Sequence, residues 1–172
     1  QNTNGVVDVI KQNAKFNLLD PYATVVYNSD FGLNVNAGAR FNTHSEYGNQ
    51  IVYNFNPSYS FENLPLKILA SYSTAFITPS LYQLYGPYGN LDLTPEENAT
   101  AEFGFESQLL DKKLTINAVG FYREEENTFG FFTDPITFAS NYINIDGTYH
   151  AKGIETSVRY TLSERFNIGG NY

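Results

Sequence analysis

The sequence predicts an all-β fold, an antiparallel up-and-down meander whose strands form a segment of a transmembrane β-barrel wall. Three observations support this. Apolar and polar residues alternate with a period of two along much of the 172-residue chain, and helical periodicity is nearly absent. Short and long connections alternate, which places the short turns at one end of the sheet. Charges in the clearest strands fall on the polar face, as a lipid-facing surface on the other side requires.

The alternation defines eight candidate strands in chain order. They cover residues 16–28, 33–42, 51–61, 67–76, 99–109, 114–124 and 143–161, and the eighth begins at Phe166. Short turns are predicted at 29–32, 62–65, 110–113 and 163–165, and longer loops at 43–50, 77–98 and 125–142. The phase of the first strand is ambiguous because Val25 and Val26 are adjacent.

Within the strands, one face is apolar and the other is rich in Asn, Ser and charge. In the fifth strand, Phe103 and Phe105 oppose Glu102 and Glu106. An Arg or Lys on the lipid side near the midplane costs about 2–4 kcal/mol, so charge marks the opposite face. The residues predicted to face the lumen are Arg40, Glu102, Glu106, Glu155 and Arg159.

A soluble antiparallel sandwich with one wet face predicts the same alternation, so it stays an alternative. Two details favour the barrel. Pro57 lies inside an apparently central strand and predicts a bulge or local break there. The polar face carries Asn and Ser more than Lys and Glu, as in a hydrated lumen. A small closed eight-stranded barrel with a structural role is a third alternative.

Composition narrows the function classes. The chain has 14 Tyr and 14 Phe, but only 16% of its residues are charged and its mean hydropathy is −0.33. Aromatic girdles on amphipathic strands account for such a balance. No apolar run approaches 18 residues, so no transmembrane helix is predicted. The net charge of −8 argues against nucleic acid as a partner, because phosphates would be repelled.

No motif in the sequence predicts catalysis, a metal site or a cofactor. Cysteine is absent, no G-x-S-x-G elbow occurs, and His44 and His150 have no second ligand at metal spacing. Glu124, Glu125 and Glu126 are interpreted as a solvated charge run. The segment 94–97, Thr-Pro-Glu-Glu, is interpreted as a capping box that starts one helical turn.

The long loops are rich in aromatic residues, which suit either loop packing and an interfacial belt or the stacking of a large ligand. These residues are Tyr82, Tyr85, Tyr88, Phe129, Phe131, Phe132 and Tyr142. The segment 82–89, Tyr-Gln-Leu-Tyr-Gly-Pro-Tyr-Gly, lies well inside its loop. A ligand role and self-packing are both open there.

The same region carries a family resemblance. The run 70–76, Ala-Ser-Tyr-Ser-Thr-Ala-Phe, is followed by Thr-Pro-Ser at 78–80, Gln-Leu-Tyr-Gly at 83–86, Tyr-Gly-Asn at 88–90, Leu-Thr-Pro-Glu at 93–96 and Glu-Phe-Gly at 102–104. This order resembles a barrel hairpin of the TonB-dependent outer-membrane receptors, and within them of the vitamin B12 (cobalamin) transporters. Lys-Gly-Ile-Glu-Thr at 152–156 resembles a later strand of the same family.

The resemblance implies a barrel of about 22 strands in the bacterial outer membrane, a plug domain and energy from the TonB complex. Residues 1–172 would be a partial barrel of about eight strands without plug or TonB box. The chain begins QNTNGVVDVI with no signal-peptide pattern and ends in a strand, so it is expected to be a piece of a longer protein. By itself it is expected to need detergent or to self-associate through its strand edges.

The resemblance also implies a transport function without chemistry, so no enzyme is expected. The ligand would be cobalamin, or a siderophore or haem in other members of the superfamily. The predicted ligand contacts are Tyr82, Tyr85, Tyr88 and Asn90, followed by Phe131, Phe132 and Tyr142. The soluble alternative is a sandwich module that binds carbohydrate or protein, such as an adhesin.

Overall fold

A computed structural model describes residues 15–172, so the expectation about the first ten residues lies outside the described part. The described part contains strands and one short helix, α1. The elements in chain order are β1 (Leu18–Leu19), β2 (Tyr22–Asn28), β3 (Leu33–His44), β4 (Gly48–Ser60), β5 (Leu66–Ile77), α1 (Leu81–Tyr85), β6 (Glu96–Leu109), β7 (Leu114–Glu126), β8 (Phe129–Thr133), β9 (Ser140–Asn144), β10 (Thr148–Ser163) and β11 (Phe166–Asn171).

Nine of these strands form one antiparallel sheet in the order β1-β3-β4-β5-β6-β7-β10-β11, with β2 paired to β3 as well. From β3 onward each strand of the sheet pairs with the next one along the chain, apart from the insertion of β8 and β9, which form a separate hairpin. The predicted up-and-down antiparallel meander is confirmed.

The sheet register separates two faces, because paired residues of antiparallel strands point to the same side. Ile68 pairs with Phe105, and Phe105 pairs with Ala118 on what we call the apolar face. Lys67 pairs with Glu106, and Glu106 pairs with Asn117 on the polar face. A slip of one residue would exchange the two faces throughout a strand, so the alternation in the sequence fixes this register.

Within residues 15–172 the large sheet is a single layer, and neither of its faces is covered by a second sheet. Phe103 is 65% exposed and Tyr53 45% exposed on the apolar face. Among the apolar side chains that the structure describes, Leu93 alone falls in the buried class, and it lies in a loop. A sandwich would have placed one face of the sheet against another sheet, so the described part does not have the sandwich architecture.

The apolar face contains a band of membrane dimensions. On β7 the band runs from Tyr122 to Leu114. At the end of the band near the short turns, Tyr160 of β10 pairs with Leu114. Nine residues at about 3.3 Å each, tilted by about 40°, give a height of roughly 23 Å, close to the apolar band of outer-membrane barrels. Charged residues of this face, such as Glu124 and Lys152, lie beside or beyond Tyr122 at the end that carries the long loops.

Several predicted boundaries were wrong. The first strand is interrupted at Asp20 and Pro21, where proline removes a backbone donor. The segment 143–161 is divided between β9 and β10, and β8 was missed entirely. The loop 43–50 shrinks to the three residues 45–47 because β3 and β4 continue to the pair His44–Gly48.

The predicted helical turn at 94–97 was also wrong, because β6 begins at Glu96. The capping box lies earlier, where Ser80 caps α1 and exchanges hydrogen bonds with Gln83. At Pro57 the predicted local break is confirmed. The β4–β5 ladder lacks pairs at residues 56 and 57 and resumes at Ser58–Leu69 without a change of register.

We expect Gly32→Ala to destabilise the barrel by about 1–3 kcal/mol, because two penalties coincide there. Gly32 has φ +96°, in the left-handed region, and an added Cβ would lie 2.2 Å from the carbonyl oxygen of Ser60. Urea unfolding of the complete protein in detergent, followed by circular dichroism, measures the loss.

Substitutions at two further glycines distinguish the backbone penalty from the steric penalty. Gly48 has φ +73° with nothing within 4 Å, so Gly48→Ala meets only the backbone penalty. Gly170 has no such φ and no neighbour within 4 Å, so Gly170→Ala is expected to be nearly neutral. Equal losses for Gly32→Ala and Gly48→Ala would contradict a steric role of Ser60.

Candidate functional site: the long-loop end of the sheet

Three connections meet at one end of the sheet, opposite the short turns. We call them loop 1 (residues 45–47), loop 2 (78–95, between β5 and β6) and loop 3 (127–147, between β7 and β10). Loop 2 contains α1 and loop 3 contains the β8–β9 hairpin. All predicted ligand contacts lie in loops 2 and 3, so this end is the candidate site.

Loop 2 begins with a short capped helix. The backbone N–H of Gln83 donates to Ser80 Oγ, and Ser80 N–H donates to Gln83 Oε1 at 2.8 Å. These reciprocal bonds satisfy helix N–H groups that otherwise lack partners. The helix ends at Gly86, and Asn90 N–H donates back to the Gln83 carbonyl at 2.9 Å. The loop is therefore folded upon itself.

Loop 3 projects as a hairpin in which Phe131 pairs with Tyr142 and Phe132 with Asn141. Its turn is organised by Asp134, whose Oδ1 accepts from the backbone N–H groups of Ile136 (2.7 Å) and Thr137 (2.8 Å). The aromatic residues of loop 3 are therefore held in the paired strands of the hairpin.

Four predicted residues from the two loops come together as rings. We call them the aromatic platform: Tyr82, Tyr88, Phe131 and Tyr142. The ring centroids are 5.3 Å apart for Tyr88–Phe131, 5.4 Å for Phe131–Tyr142 and 6.3 Å for Tyr82–Tyr142, all edge to face. Such pairs contribute about 0.5–1.5 kcal/mol each beyond burial. The rings pack on one another, but Tyr82 and Phe131 remain 57% and 54% exposed.

The other three predicted contacts have different surroundings. Asn90 supports the platform, because its Nδ2 donates to the Tyr142 carbonyl at 2.9 Å. Phe132 is exposed and occurs in none of the ring pairs between described residues. Tyr85 lies towards Tyr47 of loop 1, with which it interacts electrostatically. Ligand contact by any of the seven stays a prediction.

Sequence reasoning missed the residues that join the two loops. Asn144 exchanges hydrogen bonds with the backbone of Thr94, and Glu96 Oε1 accepts from the N–H of Phe129. Asn and Glu at strand ends carry no signal of a cross-loop contact in the sequence. Leu93 is 2% exposed beside this junction, and its apolar side chain in a polar loop was the available hint.

Loop 1 is organised around the buried His44, a structural role that the sequence pattern did not indicate. The His44 ring stacks on Phe16, with centroids 4.8 Å apart, and contacts Tyr47 at the same distance. Its Nδ1 accepts from the N–H groups of Glu46 and Tyr47. Burial, and then the neighbouring Tyr85 and Glu46, raise the pKa of the Tyr47 hydroxyl. Tyr47 therefore stays neutral at physiological pH.

The charged side chains of loops 2 and 3 are all negative. Segments 78–95 and 127–147 contain no Lys, Arg or His, and their charged residues are Asp92, Asp134 and Asp146. Glu96 and Glu126 add negative charge at the adjacent strand ends. Arg123 is the nearby cation on the polar face, and its Nη1 lies 3.7 Å from Glu125. The described surface of the two loops therefore favours neutral or cationic ligands over anionic ones.

The register puts all five charged residues predicted for the lumen on the polar face. Arg40 pairs with Val52, Glu102 with Ser71, and Arg159 with Thr115. The same ladders place Glu106 and Glu155 on the polar face as well. That this face lines a lumen stays a prediction.

Within residues 15–172, no group of three or more His, Asp or Glu side chains is arranged to hold a metal ion. In the same part of the chain, no helix is both long and apolar enough to cross a membrane.

The turn of loop 3 is expected to loosen in acid. The backbone N–H groups of Thr137 and Ile136 donate to the Asp134 carboxylate and hold its pKa below the ordinary value of 3.8. A lowered pKa in the folded state means that the turn is stabilised above pH 3.8 and loses this stabilisation as the pH falls through the lower folded value.

Nuclear magnetic resonance titration of the Ile136 and Thr137 amides measures this. Their shifts are expected to move together with a midpoint below pH 3.8, and Asp134→Asn is expected to abolish the transition. A midpoint at or above 3.8 would contradict the assigned hydrogen bonds.

Comparisons with known proteins agree with this architecture. The family model described as "TonB dependent receptor-like, beta-barrel" matches residues 2–172. The vitamin B12 transporter BtuB of Vibrio cholerae serotype O1 is 33% identical over 126 residues, which cover 72% of this chain and 19% of that protein. The siderophore receptor PirA of Pseudomonas aeruginosa superposes with a TM-score of 0.79 at 18% identity, over 91% of this chain and 33% of PirA.

The copper transporter OprC gives a TM-score of 0.70 at 13% identity, over 91% of this chain and 28% of OprC. At such identities the likeness to PirA and OprC concerns the fold alone. The chain spans about a fifth of the length of the vitamin B12 transporter that it matches.

Proposed function

Because the chain belongs to the TonB-dependent receptor-like β-barrel family, whose members lie in the bacterial outer membrane, we propose that it is part of the barrel of a transporter for cobalamin. In this proposal the complete receptor binds the nutrient at its extracellular loops and releases it inward when the TonB complex acts through a plug domain. No covalent chemistry is required, since the receptor works by different affinities in two states.

The aromatic platform is the observation that carries this proposal. It offers exposed ring faces from two loops, with the Asn90 amide behind them. A flat macrocycle with amide side groups, such as cobalamin, suits stacking on rings with a few polar contacts. The 33% identity to a vitamin B12 transporter supports the same ligand.

The charge of the loops also supports cobalamin over iron chelates. Cyanocobalamin is electrically neutral, whereas ferric catecholate siderophores are polyanions. Loops 2 and 3 contain aspartates and no basic side chain, so they would repel a polyanion. A siderophore or haem receptor of the same superfamily is the competing function, and it predicts that other loops provide the cations.

The test is a titration of the complete receptor, purified in detergent, with cyanocobalamin and with ferric enterobactin. Isothermal calorimetry is expected to give saturable one-to-one binding for cyanocobalamin and binding at least tenfold weaker for the iron chelate. Tighter binding of ferric enterobactin would assign the receptor to siderophores. Cobinamide, which lacks the nucleotide, serves as a ligand control.

A further inference from the structure

Loops 2 and 3 are linked at three levels, from the sheet outwards. At the base, Asn144 and Glu96 join backbone segments of the two loops. In the middle, Tyr142 N–H donates to the Tyr88 carbonyl at 3.0 Å. At the top, the rings of the aromatic platform meet. We propose that loops 2 and 3 form one preassembled recognition unit and that Asn144 is the positioning residue that holds it together; the role in binding rests on the proposed function.

Asn144 uses both ends of its side chain across the junction. Its Oδ1 accepts from Thr94 N–H at 2.8 Å, and its Nδ2 donates to the Thr94 carbonyl at 2.9 Å. The same Nδ2 donates to the Asn127 carbonyl at 2.6 Å, at the start of loop 3. Only an amide side chain supplies both an acceptor and two donors from one group. Aspartate would keep the acceptor and lose both donors.

The position of Asn144 transmits this constraint to the platform. It is the last residue of β9 and pairs with Phe129 at the base of the hairpin. Two residues earlier on the same strand, Tyr142 carries one platform ring and pairs with Phe131, which carries another. Fixing Asn144 against loop 2 therefore fixes the hairpin opposite Tyr88.

Preassembly lowers the cost of binding. Ordering a flexible backbone costs about 1–2 kcal/mol per residue, and a ligand that must bring two loops together meets this cost during binding. When only a fraction of the receptors has the unit assembled, the apparent affinity falls by that fraction. Loss of the Asn144 bonds is thus expected to reduce affinity even if Asn144 never touches the ligand.

The first test measures cyanocobalamin binding to Asn144→Ala and Asn144→Asp variants of the complete receptor. We expect Kd to rise by about tenfold or more in both, mainly through a lower association rate, with an unchanged urea midpoint of the barrel. Asn49→Ala is the matched control, because Asn49 is an exposed asparagine at the same end of the sheet. Unchanged Kd for Asn144→Ala in a receptor that binds cyanocobalamin would overturn the positioning role.

A second measurement needs no ligand and separates this inference from the proposed function. Amide hydrogen exchange of the Asn144→Ala receptor is expected to increase together in residues 80–95 and 129–144, as for one cooperative unit. An increase confined to loop 3 would overturn preassembly. If the unmodified receptor binds no cobalamin while exchange rises in both loops, the proposed function fails and the structural unit stands.

A double-mutant cycle completes the test. Phe131→Ala is expected to weaken cyanocobalamin binding less in the Asn144→Ala background than in the unmodified receptor, because the ring is already displaced. Additive losses would mean that Asn144 acts independently of the platform and would contradict the inference.

Discussion

Phe103→Arg is expected to destabilise the barrel by about 2–4 kcal/mol and to reduce the amount of assembled receptor in the outer membrane. Phe103 lies on the apolar face of β6, which we expect to face lipid, and its neighbours in the ladder are the small residues Ala70 and Gly120. Its ring is 65% exposed in the isolated sheet, so few contacts within the chain are lost on substitution. The expected loss therefore reports the transfer of charge into lipid.

Ser71→Arg provides the matched control for this experiment. Ser71 pairs with Glu102 on the polar face at nearly the same height as Phe103. The same added charge is expected to cost little there, because this face is predicted to be hydrated and Ser71 pairs with Glu102. Urea unfolding in detergent and the heat-resistant folded band on gels measure both variants. Equal losses for Phe103→Arg and Ser71→Arg would mean that the assignment of the two faces to lipid and lumen is wrong.

If the receptor binds cobalamin as proposed, truncation of either ring of the Tyr88–Phe131 pair of the platform is expected to weaken that binding strongly. Tyr88 and Phe131 contact each other at 5.3 Å and come from different loops. Truncation of an aromatic residue at the centre of an interface typically costs about 2 kcal/mol or more, roughly a thirtyfold change in Kd. Tyr88→Ala and Phe131→Ala are each expected to approach this, and the losses are expected to be non-additive because the rings support each other.

Phe138→Ala is the control for the platform. Phe138 lies in loop 3, as Phe131 does, and is 79% exposed at the hairpin turn, outside the aromatic platform. Calorimetric titration with cyanocobalamin is expected to give an unchanged Kd for this variant. A loss at Phe138 with none at Tyr88 would place the ligand on the hairpin turn and not on the platform.

Much of the sheet could be predicted from the sequence because its physics is local. Each strand must place apolar side chains at every second residue to face lipid, so Phe103, Phe105 and their neighbours disclose both the strand and its face. The strand ends were less predictable. β3 and β4 extend beyond the apolar band, where the residues are polar on both sides and the alternation disappears.

The local motifs were predicted less well than the sheet. Thr94 and Glu97 have the residue types of a capping box, yet the ladder pairs Glu96 with Ile77 and draws this segment into β6. The capping box that the structure contains is formed by Ser80 and Gln83. The difference is decided by tertiary pairing, since both segments satisfy the local pattern.

The sequence by itself determined the class of protein, because alternation, the phase of the charges and the motif order from residue 70 to 104 are all encoded within single strands and loops. It also identified the aromatic residues of the platform by type. Only the tertiary structure decided which of them meet, since the platform depends on hydrogen bonds between residues 50 or so positions apart, such as Thr94 with Asn144. An amide at a strand end acquires this role only when the sheet brings the two loops to the same place.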